Sequence, residues 1–129
     1  MTGIAPVRWD TDRLILVDQT VLPERELERD YQSWQDVGAA IRGLVVRGAP
    51  AIGVAAAFGV VLAARASRAA TFDGLMADLE TAIKGLAATR PTAVNLFWAL
   101  ERMRRAAAGS SAFPLDQVRA RLLAEAQAI

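Results

Sequence analysis

The chain has 129 residues, a mass of 13.8 kDa and a formal charge of +1, a size suited to one domain with a buried core. It contains no Cys and no His. That excludes disulfides, thiol nucleophiles, thiolate metal sites and imidazole acid–base chemistry, while the near-neutral charge argues against a strongly basic nucleic-acid binder. Hydrophobic residues make up 53%, but 27 residues are Ala, so the composition favours closely packed helices over a bulky core. Charge is unevenly spread: residues 1–36 carry four Arg against eight acids, and residues 37–129 carry eleven basic residues against six acids. Fourteen of the fifteen basic residues are Arg, the better bidentate ligand for phosphate.

The first third reads as β. Residues 6–9 and Arg13–Val17 flank Asp10-Thr11-Asp12, a polar turn sequence. Val21-Leu22-Pro23 ends that run, and Glu24–Tyr31 offers a short edge strand. A small antiparallel meander of about three strands is expected, needing helices against one face to be stable.

From Ser33 the pattern turns helical. Ser33 or Asp36 can cap a helix to about Leu44, with Val37, Ala40, Ile41 and Leu44 on one side. Pro50 suits the first turn of a second helix over roughly residues 50–68, apolar nearly all round and so expected at the bundle centre. Thr71 caps a third, with Leu75, Leu79, Ile83 and Leu86 inward and Asp73 and Asp78 suited to its amino-terminal end. Arg90-Pro91-Thr92 is read as the start of a fourth, whose buried stripe takes Val94, Phe97, Trp98 and Met103 and whose end carries Arg102, Arg104 and Arg105. Pro114 opens a fifth, with Leu115, Val118, Leu122 and Ala126 inward. The fold class is thus α+β, mostly α. Residues 1–32 form the meander, and residues 33–129 form a bundle of about five helices. No stop signal precedes Ile129, so the chain reads as cut in or just after a helix. No signal peptide is seen and the most apolar segment reads as a core helix. A soluble cytoplasmic protein with no membrane partner is expected.

Two places share a chemical logic. Arg47-Gly48-Ala49-Pro50 and Arg90-Pro91-Thr92 each set an Arg beside an expected helix start. Unpaired N–H groups and the positive dipole end make such a start an anion site, to which Arg adds a fork of donors. Gly48 leaves the backbone open to a ligand. Gly-Ala-Pro serves equally well as a helix connector, with Arg47 and Arg90 solvated or paired to Asp18 or Glu80. Asp18 and Gln19 follow a strand and can reach a cleft or cap a turn; Asn95 lies one turn beyond Thr92. These three are candidates for supporting roles. Gly53 and Gly59 fit close helix packing. Trp9, Trp34 and Trp98 fit core or domain contacts. No G-x-G-x-x-G or Walker sequence occurs, and no cofactor or metal is expected. Without a titrating group matched to neutral pH, no catalytic residue is assigned in this chain.

The string from Leu44 to Gly59, containing Val46-Arg47-Gly48-Ala49-Pro50-Ala51-Ile52-Gly53, resembles a hallmark of the methylthioribose-1-phosphate isomerases. Thr89–Leu96, followed by Trp98 and Met103, is similar to a second hallmark, and Leu16–Gln19 with Leu22-Pro23 to a third. The resemblance covers essentially the whole chain. It implies conversion of 5-methylthioribose 1-phosphate to 5-methylthioribulose 1-phosphate in methionine salvage, with Arg47, Gly48, Ala49 and Arg90 contacting substrate. It also implies that a larger carboxy-terminal Rossmann-like domain holds the catalytic Cys and Asp, so that residues 1–129 correspond to the amino-terminal domain. The partners implied are a sugar phosphate and that catalytic domain, within a homodimer. Other branches of the superfamily are ribose-1,5-bisphosphate isomerases and non-catalytic regulatory subunits of an initiation-factor nucleotide exchanger.

Overall fold

A computed structural model describes residues 7–46 and 48–129. Three strands, β1 (Val7–Asp10), β2 (Arg13–Val17) and β3 (Glu28–Tyr31), form an antiparallel sheet in sequence order. Val7 pairs with Leu16 and Trp9 with Leu14, while Leu14 also faces Tyr31 across the other edge. Residues directly opposite one another share a face, so Val7, Trp9, Leu14, Leu16 and Tyr31 line the inner side. Leu14 and Leu16 are fully buried. The outer face is tied by Arg8–Glu28 at 2.9 Å and Arg13–Asp30 at 3.0 Å. The segment from Glu24, expected to be strand throughout, pairs only from Glu28 onward.

Five helices follow: α1 (Trp34–Arg42), α2 (Ala49–Ala66), α3 (Phe72–Ala87), α4 (Val94–Ala108) and α5 (Leu115–Gln127). Ser33 caps α1 through Asp36 N at 3.1 Å, and Thr71 caps α3 through Gly74 N at 3.0 Å, as Ser and Thr at this position should. Asp78 lies within α3 and accepts from Ser67 Oγ at 2.5 Å, so it serves the α2–α3 connection and not the helix start. Helix α1 stops two residues before the expected end. Leu44 adopts φ +64° and is exposed, outside the apolar side of α1.

The centre of the molecule is α2, which touches the sheet and each of the other four helices. It is long and apolar enough to span a bilayer, but two-thirds of it is buried within the domain. Phe58 on α2 stacks on Trp9 at 5.3 Å, joining helix to sheet. Small residues let the helices approach. A Cβ on Gly53 would lie 3.1 Å from the Asn95 carbonyl oxygen of α4, and one on Gly59 would lie 3.0 Å from Leu86 of α3. The meander-plus-bundle expectation holds, and so does the packing role of Gly53 and Gly59.

Helix α4 departs from the expected pattern twice. It begins at Val94, with Arg90-Pro91-Thr92 in the turn before it. Its buried stripe is Leu96, Ala99, Leu100, Met103 and Ala107, whereas Val94, Phe97 and Trp98 are exposed. Two apolar stripes lie on opposite sides of this helix, and the bundle covers only one.

Candidate functional site

The approach to α2 is held from the sheet. The backbone N–H of Gln19 donates to the Val45 carbonyl at 2.8 Å, and Val45 N donates to Ala40 O at 3.0 Å. This pins the α1–α2 connection two residues before Arg47, which itself lies outside the described residues. Gly48 then takes φ +93° and ψ 134° as the residue preceding α2, a conformation that side chains resist. No side chain caps α2, and Pro50 occupies its first turn. The N–H groups of Ala49 and Ala51 precede the first intrahelical donor, Ile52 N to Gly48 O at 3.0 Å.

The other wall comes from the α3–α4 connection. Thr89 is buried and donates through Oγ1 to Leu86 O at 2.6 Å, closing α3. Ala93 N donates to Arg90 O at 2.9 Å, forming a turn that hands the chain to α4. Like α2, α4 has no side-chain cap. Its first N–H groups, on Val94 and Asn95, therefore have no acceptor within the helix.

These two uncapped helix starts open into one cleft of about 500 Å³. Its walls are Leu44, Gly48, Ala49, Ile52, Arg90, Thr92, Ala93, Val94, Asn95 and Leu96. The structure thus brings Gly48, Ala49, Arg90 and Asn95 together. Arg90 does not occupy the first helical turn; it reaches the cleft from the turn preceding α4. Its side chain makes no hydrogen bond or ion pair with the described residues, because Asp18 and Glu80, the carboxylates weighed as partners, are engaged elsewhere. No carboxylate lines the cleft. One guanidinium and two positive dipole ends therefore set its electrostatics, which suit an anion.

Asp18 and Gln19 lie outside these walls. The Asp18 carboxylate is buried and accepts from Thr20 N at 2.9 Å, Thr20 Oγ1 at 2.5 Å and Arg29 Nε at 2.6 Å. The Thr20 hydroxyl, reinforced by Arg29, holds it below the usual carboxylate range. Its place is structural, in the turn whose next residue anchors Val45. Sequence reading did not foresee Leu44 as a wall. Gly43, which ends α1, is the signal that could have placed Leu44 off the helix. Among the described residues no cluster of acids suits a metal. None of the cleft side chains titrates near neutrality, so the cleft can hold an anion but offers no proton-transfer group of its own.

The IF-2B family, described as the initiation factor 2 subunit family, matches residues 45–129. The chain belongs to that family. It is 51% identical over 127 residues to a methylthioribose-1-phosphate isomerase of Syntrophotalea carbinolica, covering 98% of this chain and 37% of that protein. It is 51% identical over 120 residues to the protein of that name from Geobacter metallireducens, covering 93% and 35%. Among solved structures, the 5-methylthioribose 1-phosphate isomerase of Pyrococcus horikoshii superposes with a TM-score of 0.90 at 38% identity, covering 95% of this chain and 34% of that one. The delta subunit of translation initiation factor eIF-2B from A. fulgidus gives 0.87 at 41% identity, covering 97% and 36%. The chain therefore spans little more than a third of the length of the curated relatives it matches. Within this family fold, the cleft lies where α2 and α4 begin.

Proposed function

We propose that this chain is the phosphate-holding part of an aldose–ketose isomerase that converts 5-methylthioribose 1-phosphate to 5-methylthioribulose 1-phosphate in methionine salvage, in the cytoplasm. The observation that carries the reading is the convergence of two uncapped helix starts and Arg90 on one carboxylate-free cleft. Methylthioribose-1-phosphate isomerases at about half identity across nearly the whole chain support the substrate. In this reading the phosphate sits on the N–H groups of Ala49 and of the α4 start, with Gly48 leaving the backbone bare. Arg90 forks onto its oxygens, Arg47 enters from the adjoining loop, and Asn95 orients the sugar. Asp18 and Gln19 act at a distance, by holding the loop.

The opening of the sugar and the transfer of hydrogen between C1 and C2 need acid and base groups that these residues do not provide. They belong, in this proposal, to the remaining length of the protein, and the chain alone binds without turnover. The test is the melting temperature in inorganic phosphate and in ribose 5-phosphate. Binding to the folded state alone raises it by mass action. Arg90→Ala and Arg47→Ala should each remove most of the rise. Equal rises in both variants and the parent would place the anion elsewhere. The likeness to the eIF-2B delta subunit favours a second reading, a non-catalytic interaction module; that reading predicts no phosphate-dependent rise.

A further inference from the structure

Helix α4 carries an outward stripe that the bundle leaves bare. Val94 is 77% exposed, Phe97 43% and Trp98 55%, at the i, i+3, i+4 spacing of a single helix face. The stripe continues into Glu101, Arg102 and Arg105. With Trp98, these border a groove of about 510 Å³ against Glu125 of α5. Arg102 lies over the Trp98 ring at 5.6 Å and is paired with Glu125 at 2.5 Å. Arg105 is exposed, and its contact with Glu101 is a loose 3.7 Å. Contiguous large apolar side chains of this kind, edged by charge, mark a contact surface.

We propose that this stripe is the seat of a domain from the part of the protein that the chain does not span, one presenting an apolar patch edged by carboxylates. Three observations select that occupant. The chain spans 35–37% of the relatives' length, leaving about two thirds to be placed somewhere on this domain. Val94 belongs to the stripe and also lines the anion cleft, so a body seated on the stripe overhangs the cleft mouth. The cleft in turn lacks the acid–base groups its proposed chemistry requires. The open cation at Arg105 asks for an acidic edge on the incoming surface. The inference rests on the reading that the chain is one part of a longer isomerase.

The test mixes this chain with the separately produced remaining two thirds of the Syntrophotalea carbinolica relative, shown to be folded by circular dichroism, and follows association by sedimentation. Trp98→Glu and Phe97→Ser should each weaken the complex about tenfold or more, as centrally placed aromatic contacts do. Gln35→Arg, on an exposed position of α1, should not. Both stripe variants remove exposed side chains, and their circular dichroism should match the parent. Failure of the folded partner to bind, equal binding by all variants, or a dimer of this chain that Trp98→Glu dissociates would each overturn the proposal. The phosphate-dependent melting rise is measured on the same samples. Its persistence without association would sink the docking surface alone; its loss with association intact would sink the anion cleft alone.

Discussion

Gly48 turns the backbone at φ +93° with nothing within 4 Å of where a Cβ would stand. Any cost of a side chain there is therefore conformational and not steric. Gly48→Ala should lower stability by about 1–3 kcal/mol, read from urea midpoints, and weaken phosphate binding as the loop relaxes away from the cleft. Asp18 is the opposite case, a buried carboxylate whose hydrogen bonds are all accounted for. Its depressed pKa means that its contribution is full above the unfolded carboxyl range, around pH 4, and fades as pH falls through the folded-state value. Asp18→Asn should cost about 1–3 kcal/mol near neutrality, and the gap to the parent should narrow at about pH 3. A gap that stayed constant with pH would mean that the charge is not what matters. At this scale the sequence marked Gly48, Ala49 and Arg90 from chemistry alone, because an Arg beside a bare helix start has a readable meaning. It could not assign Asp18, since a carboxylate after a strand looks the same whether it faces a cleft or caps a turn.

The fate of α4 was harder to read than that of α2. Helix α2 is apolar on every side, so any burial pattern fits it and the core assignment could not fail. Helix α4 has two apolar stripes on opposite faces, and periodicity alone gives no rule for choosing between Leu96/Leu100/Met103 and Val94/Phe97/Trp98. The larger aromatic set drew the expectation, yet the smaller side chains face α2, where Gly53 and Ala99 demand close approach. The start of α4 slipped by a few residues for a related reason. Pro91 fits a first helical turn, but it also fits the turn in which Ala93 N reaches back to Arg90 O. Between elements, Arg104 of α4 grips Glu80 of α3 with contacts of 2.7 and 3.0 Å, and also bonds Glu101 one turn back. The Arg104 hydrogen bond holds Glu80 below its ordinary range. Both partners are about one-third exposed, so water and salt screen the pair. Arg104→Ala should cost about 0.5–1 kcal/mol, and the cost should shrink at high salt. A larger, salt-independent loss would indicate packing by the side-chain stem instead.

At the level of the whole molecule, the sheet, with its three short strands, depends on α2 and α1 for cover. Leu62 near the middle of α2 is 2% exposed. Leu62→Ala should lower stability by about 2–5 kcal/mol. Because every other helix and the sheet lean on α2, far-ultraviolet and tryptophan signals should still change together across the denaturant range. Transitions that separate would show the meander melting as its own unit. The meander and the five helices were legible because turn residues, Ser33, Thr71 and the prolines punctuate the chain. The meeting of the two helix starts was not, since it depends on how α2 and α4 cross.

That crossing has a further consequence. The backbones of α2 and α4 meet at Gly53 and Asn95, about one turn in from the ends that form the cleft mouth. A pivot this near the opening leaves the jaws almost no lever arm. Uptake of a small anion should therefore proceed by capture in a ready-made cradle, with little reordering to offset the affinity. Amide exchange near residues 49–53 and 94–99 should already be slow in the empty protein and change little on filling.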